Sequence, residues 1–245
     1  MATSPVDTSA SDVVALFDID GTLIRAGDPA HRAAFDHALV SVYEVPATLD
    51  GVPLAGMLDR QIARLALTPH GLGPSEVDAG LDRLVAVMGD HYGAAVGRGD
   101  RVGHLLPGVA EAASALRAAG VALAVVTGNA RPIARAKLAA AHLDRLFPVG
   151  AYGDEADDRA SLVRIGMAVA EAHYGRRFPS ARAIVVGDTA LDVRAARAAG
   201  ARALAVCTGA APRAALERAG ADTVLDDLAD TERVLRVVLG GIGDQ

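Results

Sequence analysis

The sequence predicts an α/β fold, a doubly wound, Rossmann-like parallel sheet that is interrupted by an inserted all-helical domain. From about Leu106 onward, helical stretches alternate with short apolar strands, and glycine commonly separates a helix from the next strand. Residues 28–102 instead show helical periodicity without a convincing strand. Helices and strands that alternate at this spacing form right-handed βαβ units, so we expect a parallel sheet with helices on both faces.

The first predicted strand ends directly in acidic residues. The run "VVALF" at residues 13–17 is β-branched and aromatic, and Asp18, Asp20, Gly21 and Thr22 follow it. Asp-Gly is a strong turn signal, so these residues could simply reverse the chain. The alternative is that the strand carries two carboxylates to a functional site. The other strand ends decide between the two interpretations.

The helical insert follows this strand. Its borders are rich in turn-forming residues, first at 27–29 and again at 97–108. We therefore assign residues 1–27 and 103–245 to an α/β core and residues 28–102 to a helical cap. An insert at this position is expected above the C-terminal ends of the strands, where open α/β sheets bind ligands.

Three helix–strand units follow the insert. In the first, "VAEAASALRAAG" places Val109, Ala112 and Leu116 on one helix face, Gly120 ends the helix, and "VALAVV" forms the strand. The pairs "LDVRAARAAG" with "ARALAV" and "APRAALERAG" with "ADTVL" repeat this order. Since parallel strands end at one edge of the sheet, the polar residues that follow them should converge.

Thr127, Gly128 and Asn129 form the second polar strand end. They precede a helix with Pro132 in its first turn. Free backbone N–H groups and a hydroxyl at the start of a helix can bind an anion, so we expect a phosphate-binding loop here.

Asp188 and Asp192 form the third polar strand end. They follow the strand "RAIVV" and stand four residues apart at the start of a helix, so both carboxylates lie on one face. Helix capping alone could account for such a pair. Aimed at Asp18 and Asp20, however, the two acids would repel strongly unless a cation lay among them. Mg²⁺ suits this site best, because it binds one or two carboxylates and takes substrate phosphate for the remainder.

Composition argues against several classes of function. The net charge is -6 over 245 residues and the arginines are scattered, so no nucleic-acid partner is expected. The first residues lack a basic and apolar leader and no uncharged apolar run approaches membrane-spanning length, so we expect a cytoplasmic protein without a membrane partner. The single Cys207 excludes an intrachain disulfide, and we expect a small buried hydrophobe on a strand.

The ordered motifs "DIDGT", "TGN" and "GDTALD" resemble the haloacid dehalogenase-like (HAD) superfamily, in particular its phosphatase branch, with a cap of the phosphoglycolate-phosphatase type. The resemblance covers most of the chain. It implies a doubly wound parallel sheet with a mobile cap, and Mg²⁺-dependent hydrolysis of a small phosphorylated metabolite through an aspartyl-phosphate.

The resemblance also implies a role for each motif residue. Asp18 would be the nucleophile and Asp20 the general acid and base. Mg²⁺ would be held by Asp18, by the backbone carbonyl of Asp20 and by Asp188. Asp192 would orient metal-bound water or neighbouring groups. The phosphoryl oxygens would be held by Thr127 and by the amides of Gly128 and Asn129.

The sequence departs from the family pattern at one cation. The family usually has Lys followed by Pro between the second and third motifs, whereas "GDEADDRASLV" offers Arg159 followed by Ala160. We assign the bridging cation to Arg159, whose planar fork favours bidentate contacts. Lys137 lies eight residues beyond Asn129, about 12 Å along a helix, so we expect a surface charge there.

Other charged residues have simpler interpretations. Arg60 could contact substrate, but an ordinary position on an amphipathic helix is the favoured interpretation. The histidines at 31, 70, 91 and 104 lack metal-ligand spacing, so we expect surface or loop positions.

Two rival functions stay open. A phosphomutase would use the same core and pass the phosphoryl group to a sugar hydroxyl, and a phosphorylatable binding or signalling module would hold it without turnover. A dehalogenase is disfavoured, because displacement of halide needs neither Asp20 nor a cation.

Overall fold

The computed structural model describes residues 11–97 and 99–240. Residues 1–10 and 241–245 of the predicted core therefore lie outside the described residues. The sheet has six parallel strands in the order β3-β2-β1-β4-β5-β6. Their bounds are Val14–Phe17 (β1), Ala122–Val126 (β2), Gly150–Ala151 (β3), Ala183–Gly187 (β4), Arg202–Val206 (β5) and Thr223–Leu225 (β6).

Helices cover both faces of this sheet, which confirms the predicted doubly wound fold. Because side chains alternate along a strand, Ala15 and Phe17 of β1 face one core cluster, whereas Val14 and Leu16 face the other. The first cluster also contains side chains of the helices Val109–Ala118 (α5), Arg131–Ala140 (α6) and Thr231–Leu239 (α10). The second contains those of Arg159–Tyr174 (α7), Ala190–Ala198 (α8) and Arg213–Arg218 (α9).

The described residues of the segment predicted as the cap form helices joined by loops, the longest of which covers residues 44–58. Its helices are Pro29–Tyr43 (α1), Asp59–Leu67 (α2), Pro74–Ala79 (α3) and Leu81–Val96 (α4), and they share a third apolar cluster. Ala130 and Ile133 belong to this cluster as well, so α6 connects the insert with the sheet. The exact borders of the core and the cap remain predictions.

The helical periodicity of residues 54–67 and 77–96 predicts two helices that are longer than those observed. Residues 54–58 are not helical, because Gly56 has a φ of +71° and Leu58 caps α2 by donating its backbone N–H to Gln61 Oε1 at 3.3 Å. Gly80 separates α3 from α4. Cys207 is half-buried just after β5, and not buried on the strand as expected.

None of the described helices combines the length and the apolar character that crossing a membrane requires.

Candidate active site

The strand ends β2, β1 and β4 are neighbours in the sheet, and their polar residues converge on one cavity. The cavity has a volume of about 450 Å³ and is bounded by the strand ends on one side and by the helical insert on the other. Of the residues predicted for the site, those that line the cavity are Asp18, Asp20, Thr127, Gly128, Asn129, Arg159 and Asp188.

The turn after β1 brings Asp18 next to Asp188. Gly21 has a φ of +82°, and a Cβ at this position would lie 2.4 Å from a carboxylate oxygen of Asp188. Only glycine combines this backbone conformation with such a close approach. Thr208, which lies just after β5, donates its Oγ1 hydroxyl to the Gly21 carbonyl at 2.6 Å and so holds the turn in place. The Asp-Gly pair is therefore both a turn and part of the site.

Asp18, Asp188 and Asp192 form a buried acidic cluster. One carboxylate oxygen of each lies within 4.8 Å of those of the other two. Burial, together with the neighbouring carboxylates, raises the pKa of Asp18 to about 6 and that of Asp188 to about 8. Thr22 Oγ1 donates to Asp188 Oδ1 at 3.2 Å, and the charged groups that act on the Asp188 pKa are both carboxylates.

The donor set of Asp18 and Asp188 fits a hard divalent cation. Both groups supply carboxylate oxygens, which are the ligands that Mg²⁺ prefers, and Asp188 has no positive neighbour among the causes of its pKa shift. A cation between them would offset the repulsion that raises both pKa values. The expected metal site is therefore chemically reasonable at these two residues.

Both carboxylate oxygens of Asp192 accept hydrogen bonds from other residues of the site. Its Oδ2 accepts hydrogen bonds from Thr189 Oγ1 at 2.6 Å and from the Thr189 backbone N–H at 3.0 Å, which caps α8. Its Oδ1 accepts from Arg159 Nε at 2.7 Å. Capping and membership in the acidic cluster are thus combined in one residue, and these contacts suit the predicted orienting role.

Arg159 lies at the first position of α7 and is 8 % exposed. Its Nη2 is 2.8 Å from Asp18 Oδ2, and its Nη1 donates to the Gly56 carbonyl at 3.0 Å. Burial lowers the Arg159 pKa, but the charges of Asp192 and Asp18 outweigh this effect and the pKa is raised. The predicted cation is therefore placed beside the predicted nucleophile and also contacts the insert.

Lys137 is not the surface charge that its distance along α6 predicted. The side chain is 1 % exposed, and its Nζ lies 2.8 Å and 2.7 Å from the two carboxylate oxygens of Asp20. Helical side chains lean toward the N-terminus, so the long lysine stem reaches back toward the start of α6.

A signal for Lys137 was present in the sequence. The buried positions of α6 are Ile133, Ala134, Lys137 and Leu138, which is the spacing of a core-facing helix surface. Lys137 is also the only lysine among 24 lysine and arginine residues. A lone lysine on an apolar helix face indicates a buried partner.

Asp20 is the centre of a polar network that includes Lys137. Asn129 Nδ2 donates to Asp20 Oδ2 at 2.7 Å, and Lys137 Nζ donates to Asn129 Oδ1 at 3.1 Å. Burial would raise the pKa of Asp20, but the charges of Lys137 and His31 and the hydrogen bonds from Lys137 and Asn129 lower it below its usual value. Asp20 is therefore held as an oriented carboxylate.

The expectation for two of the histidines was wrong. His31 lies in α1 and its Nδ1 is 3.3 Å from Lys137 Nζ, while its Nε2 is 3.6 Å from Asp59 Oδ2. His91 is half-buried in α4 and stacks on His37. His70 and His104 are exposed in short 3₁₀ turns, as expected.

The insert closes directly over the predicted phosphate-binding loop. Asp59 N–H donates to the Gly128 carbonyl at 2.8 Å, and Asp59 Oδ2 accepts from Ala130 N–H at 2.6 Å. A Cβ on Gly128 would lie 2.0 Å from the Met57 carbonyl oxygen, so the contact requires glycine. Thr127 is fully buried, with its hydroxyl 2.9 Å from Asn129 Nδ2.

Arg60 contacts the core and does not line the cavity. Its Nη1 donates to Asp157 Oδ1 at 3.2 Å. This position agrees with the favoured interpretation as part of an amphipathic helix.

Comparison with known proteins assigns the family. The model of the haloacid dehalogenase-like hydrolases matches residues 14–200. The chain belongs to the haloacid dehalogenase-like hydrolase family. The phosphoglycolate phosphatase of Cupriavidus necator is 32% identical over 216 residues, covering 87% of this chain and 88% of that protein. The phosphoglycolate phosphatase of Agrobacterium fabrum is 30% identical over 222 residues, covering 88% of this chain and 89% of the relative.

Solved structures of other enzymes have the same fold. A β-phosphoglucomutase from Clostridium difficile superimposes with a TM-score of 0.67 at 13% identity, covering 92% of this chain and 98% of that one. A hydrolase from Pseudomonas syringae superimposes with a TM-score of 0.62 at 23% identity, covering 95% and 100%. These likenesses confirm the architecture, and the similar phosphatases bear out the assignment of an enzyme of the HAD hydrolase family.

The raised pKa of Asp188 predicts how stability depends on pH and on Mg²⁺. The pKa of Asp188 is about 8 in the folded protein, so binding of a proton to this carboxylate stabilises the fold. The stabilisation is complete below the unfolded pKa near 3.8 and is lost as the pH rises toward 8. Asp18 acts in the same direction. In chelator, the melting temperature should therefore fall from about pH 5 to pH 8.5, and added Mg²⁺ should raise it more at the higher pH.

Asp188→Asn provides the control for this measurement. The variant should melt above the wild type at high pH in chelator, and Mg²⁺ should shift its melting temperature little. An equal Mg²⁺ effect at both pH values, or an undiminished shift in the variant, would contradict the metal site.

Proposed function

We propose that the protein is a Mg²⁺-dependent phosphatase that hydrolyses small phosphate monoesters through an aspartyl-phosphate on Asp18. The observation that carries this proposal is the juxtaposition of Asp18 with Asp188, Arg159 and the loop at 127–129 in a single cavity. A nucleophile, a metal ligand, a fixed cation and a phosphate-binding loop are the groups that phosphoryl transfer requires.

In the first step, a carboxylate oxygen of Asp18 attacks phosphorus and the bond to the leaving alcohol breaks. Asp20 donates a proton to that alcohol as it leaves. Because the pKa of Asp20 is, despite burial, lowered by Lys137 and His31, this step requires that the negative charge of the bound phosphoryl group raise it. In the second step, Asp20 accepts a proton from water, which attacks the aspartyl-phosphate and releases phosphate and free Asp18. Two displacements replace one difficult hydrolysis.

Mg²⁺ bound by Asp18, Asp188 and the Asp20 backbone carbonyl would supply positive charge against the phosphoryl oxygens. The side chains provide the rest of the stabilisation. Arg159 is held between Asp18 and Asp192, with its guanidinium fixed in orientation before substrate arrives. The N–H groups of Gly128 and Asn129 and the Thr127 hydroxyl would bind the remaining oxygens at the start of α6.

Lys137 and Asn129 would set the direction of proton transfer by fixing the carboxylate of Asp20. Lys137 contacts both oxygens of Asp20, and Asn129 bonds to one of them. Because Lys137 is buried, its charge is offset chiefly by Asp20, and the two groups depend on one another. We therefore expect a substitution of Lys137 or of Asp20 alone to reduce activity.

Asp18→Asn tests the nucleophile. The amide is nearly isosteric but cannot form an acyl phosphate, so hydrolysis of an aryl phosphate should fall by at least about 10³-fold. Acid-quenched protein incubated with labelled substrate should carry phosphate in the wild type and none in the variant. Asp226→Asn, at an aspartate that is 89% exposed, is the matched control and should retain activity.

The same experiment separates the proposal from its rivals. A variant that keeps wild-type turnover would exclude Asp18 as the nucleophile. Phosphate that stays on Asp18 without release would indicate a binding or signalling module. Transfer of the phosphoryl group to an added sugar phosphate, rather than to water, would indicate a phosphomutase.

Lys137→Met tests the orientation of Asp20. A nitrophenolate leaves readily without a proton, whereas an alkoxide needs Asp20 as an acid, so the loss in kcat should be larger for an alkyl phosphate than for nitrophenyl phosphate. We expect a difference of at least about 10-fold between the two losses. A merely structural role for Lys137 would reduce both activities equally, and that result would refute the assignment.

A further inference from the structure

The cavity is larger than a phosphoryl group and a short alcohol require. Its volume of about 450 Å³ lies in the range of pockets that hold ligands of drug size, roughly 300–1,000 Å³. The phosphoryl group is expected at the strand ends, so the space toward the insert is available for the leaving group.

The wall on the side of the insert is apolar. Phe35, Leu49 and Ile62 belong to the apolar cluster of the insert, and each is at most 5 % exposed. Leu54 and Met57 extend this wall in the segment before α2, where Leu54 is 36 % exposed. A leaving group with apolar surface would be buried against these side chains and would gain affinity from that burial.

The cations that line the cavity are already paired. Among the residues that the structure describes, the lysine and arginines of the lining are Arg32, Lys137 and Arg159. Arg32 Nη2 is 2.7 Å from Asp50, Lys137 contacts Asp20, and Arg159 contacts Asp18. A second anionic group on the substrate would have to displace the exposed Asp50 from Arg32, or be desolvated without a positive partner.

The lining also has an acidic excess. Besides the three aspartates of the proposed chemistry, Asp28 and Asp59 line the cavity, and Asp28 is itself paired with Arg101, which lies outside the lining. Asp59 Oδ2 is 3.6 Å from His31, the remaining basic side chain of the described lining. The charges around the leaving group therefore favour a neutral one.

From this wall and these charges we infer that the substrate is the phosphate ester of an uncharged, largely apolar alcohol or phenol. This inference rests on the proposed phosphatase activity and narrows it. It separates the chain from its relatives named phosphoglycolate phosphatases, because phosphoglycolate has a short leaving group that carries a carboxylate.

Matched aryl phosphates test the inference. With Mg²⁺ present, 4-methylphenyl phosphate and 4-carboxyphenyl phosphate differ mainly in charge at the position remote from phosphorus. The carboxyphenolate is the better leaving group, so intrinsic reactivity opposes the expected preference. We expect kcat/KM to be at least about 10-fold higher for the methyl ester, and to rise by up to about 4-fold for each further buried methylene in longer 4-alkyl esters.

Two arginine variants locate the origin of this preference. Leu54→Arg places an unpaired cation at the cavity, and it should improve 4-carboxyphenyl phosphate relative to the methyl ester by at least about 10-fold. Leu65→Arg is the matched control, because Leu65 is 43 % exposed on α2, does not line the cavity and adds the same charge. It should leave the ratio unchanged.

The outcomes distinguish this inference from the proposed function. Hydrolysis of both esters with equal or inverted preference would overturn the inference and leave the phosphatase in place. Equal shifts of the ratio in both arginine variants would also overturn it, since the effect would then come from net charge. Hydrolysis of neither ester would refute the phosphatase activity and this inference together.

Discussion

Mutual repulsion among three buried carboxylates is the constraint on which the rest of the site depends. Asp18, Asp188 and Asp192 meet because β1 and β4 are adjacent and parallel and end at the same edge. Isolated buried charges cost several kcal/mol each, roughly, unless partners offset them. Arg159 and the N-terminus of α8 offset the charge of Asp192, and Arg159 also contacts Asp18. Within the part of the chain that the structure describes, no cationic side chain pairs with Asp188, and the divalent cation of the proposed mechanism would supply the missing charge.

The fold and the acidic cluster could be predicted because both follow from local pattern. Apolar runs fixed the strands, and a parallel sheet requires that their C-terminal ends share an edge. Asp18, Thr127 and Asp188 were therefore expected to converge before any contact was known. The prediction for Arg159 came instead from the resemblance to the family, in which a lysine usually lies at this place between the motifs. The planar guanidinium of Arg159 reaches Asp18, Asp192 and the Gly56 carbonyl together.

Lys137 and His31 were missed because their roles depend on the direction and reach of side chains. The rise of α6 places the Lys137 backbone far from the loop at 127–129, but the side chain leans back along the helix and is buried against Asp20. His31 lies in the insert, 106 residues away from Lys137 in sequence. A contact of that separation leaves no local pattern, whereas the core-facing position of Lys137 within α6 did.

The helical insert covers the cavity and also supplies polar contacts to the groups around Asp20. Asp59 binds the backbone on both sides of Asn129, and His31 lies between Asp59 and Lys137. A continuous chain of polar contacts therefore links the insert to Asp20, the proposed acid and base. The apolar side chains of the same insert form the wall against which the leaving group would be buried. In the proposed mechanism, the position of the substrate and the charge state of Asp20 would thus both depend on this one segment of the chain.

The most direct test of the central claim is a crystal structure with Mn²⁺ and beryllium fluoride, which mimics a phosphoryl group on a carboxylate. We predict an anomalous peak for Mn²⁺ about 2.0–2.2 Å from oxygens of both Asp18 and Asp188, with beryllium bonded to a carboxylate oxygen of Asp18 and its fluorides facing Thr127. A metal that binds away from Asp18, or beryllium bonded to another side chain, would contradict the account.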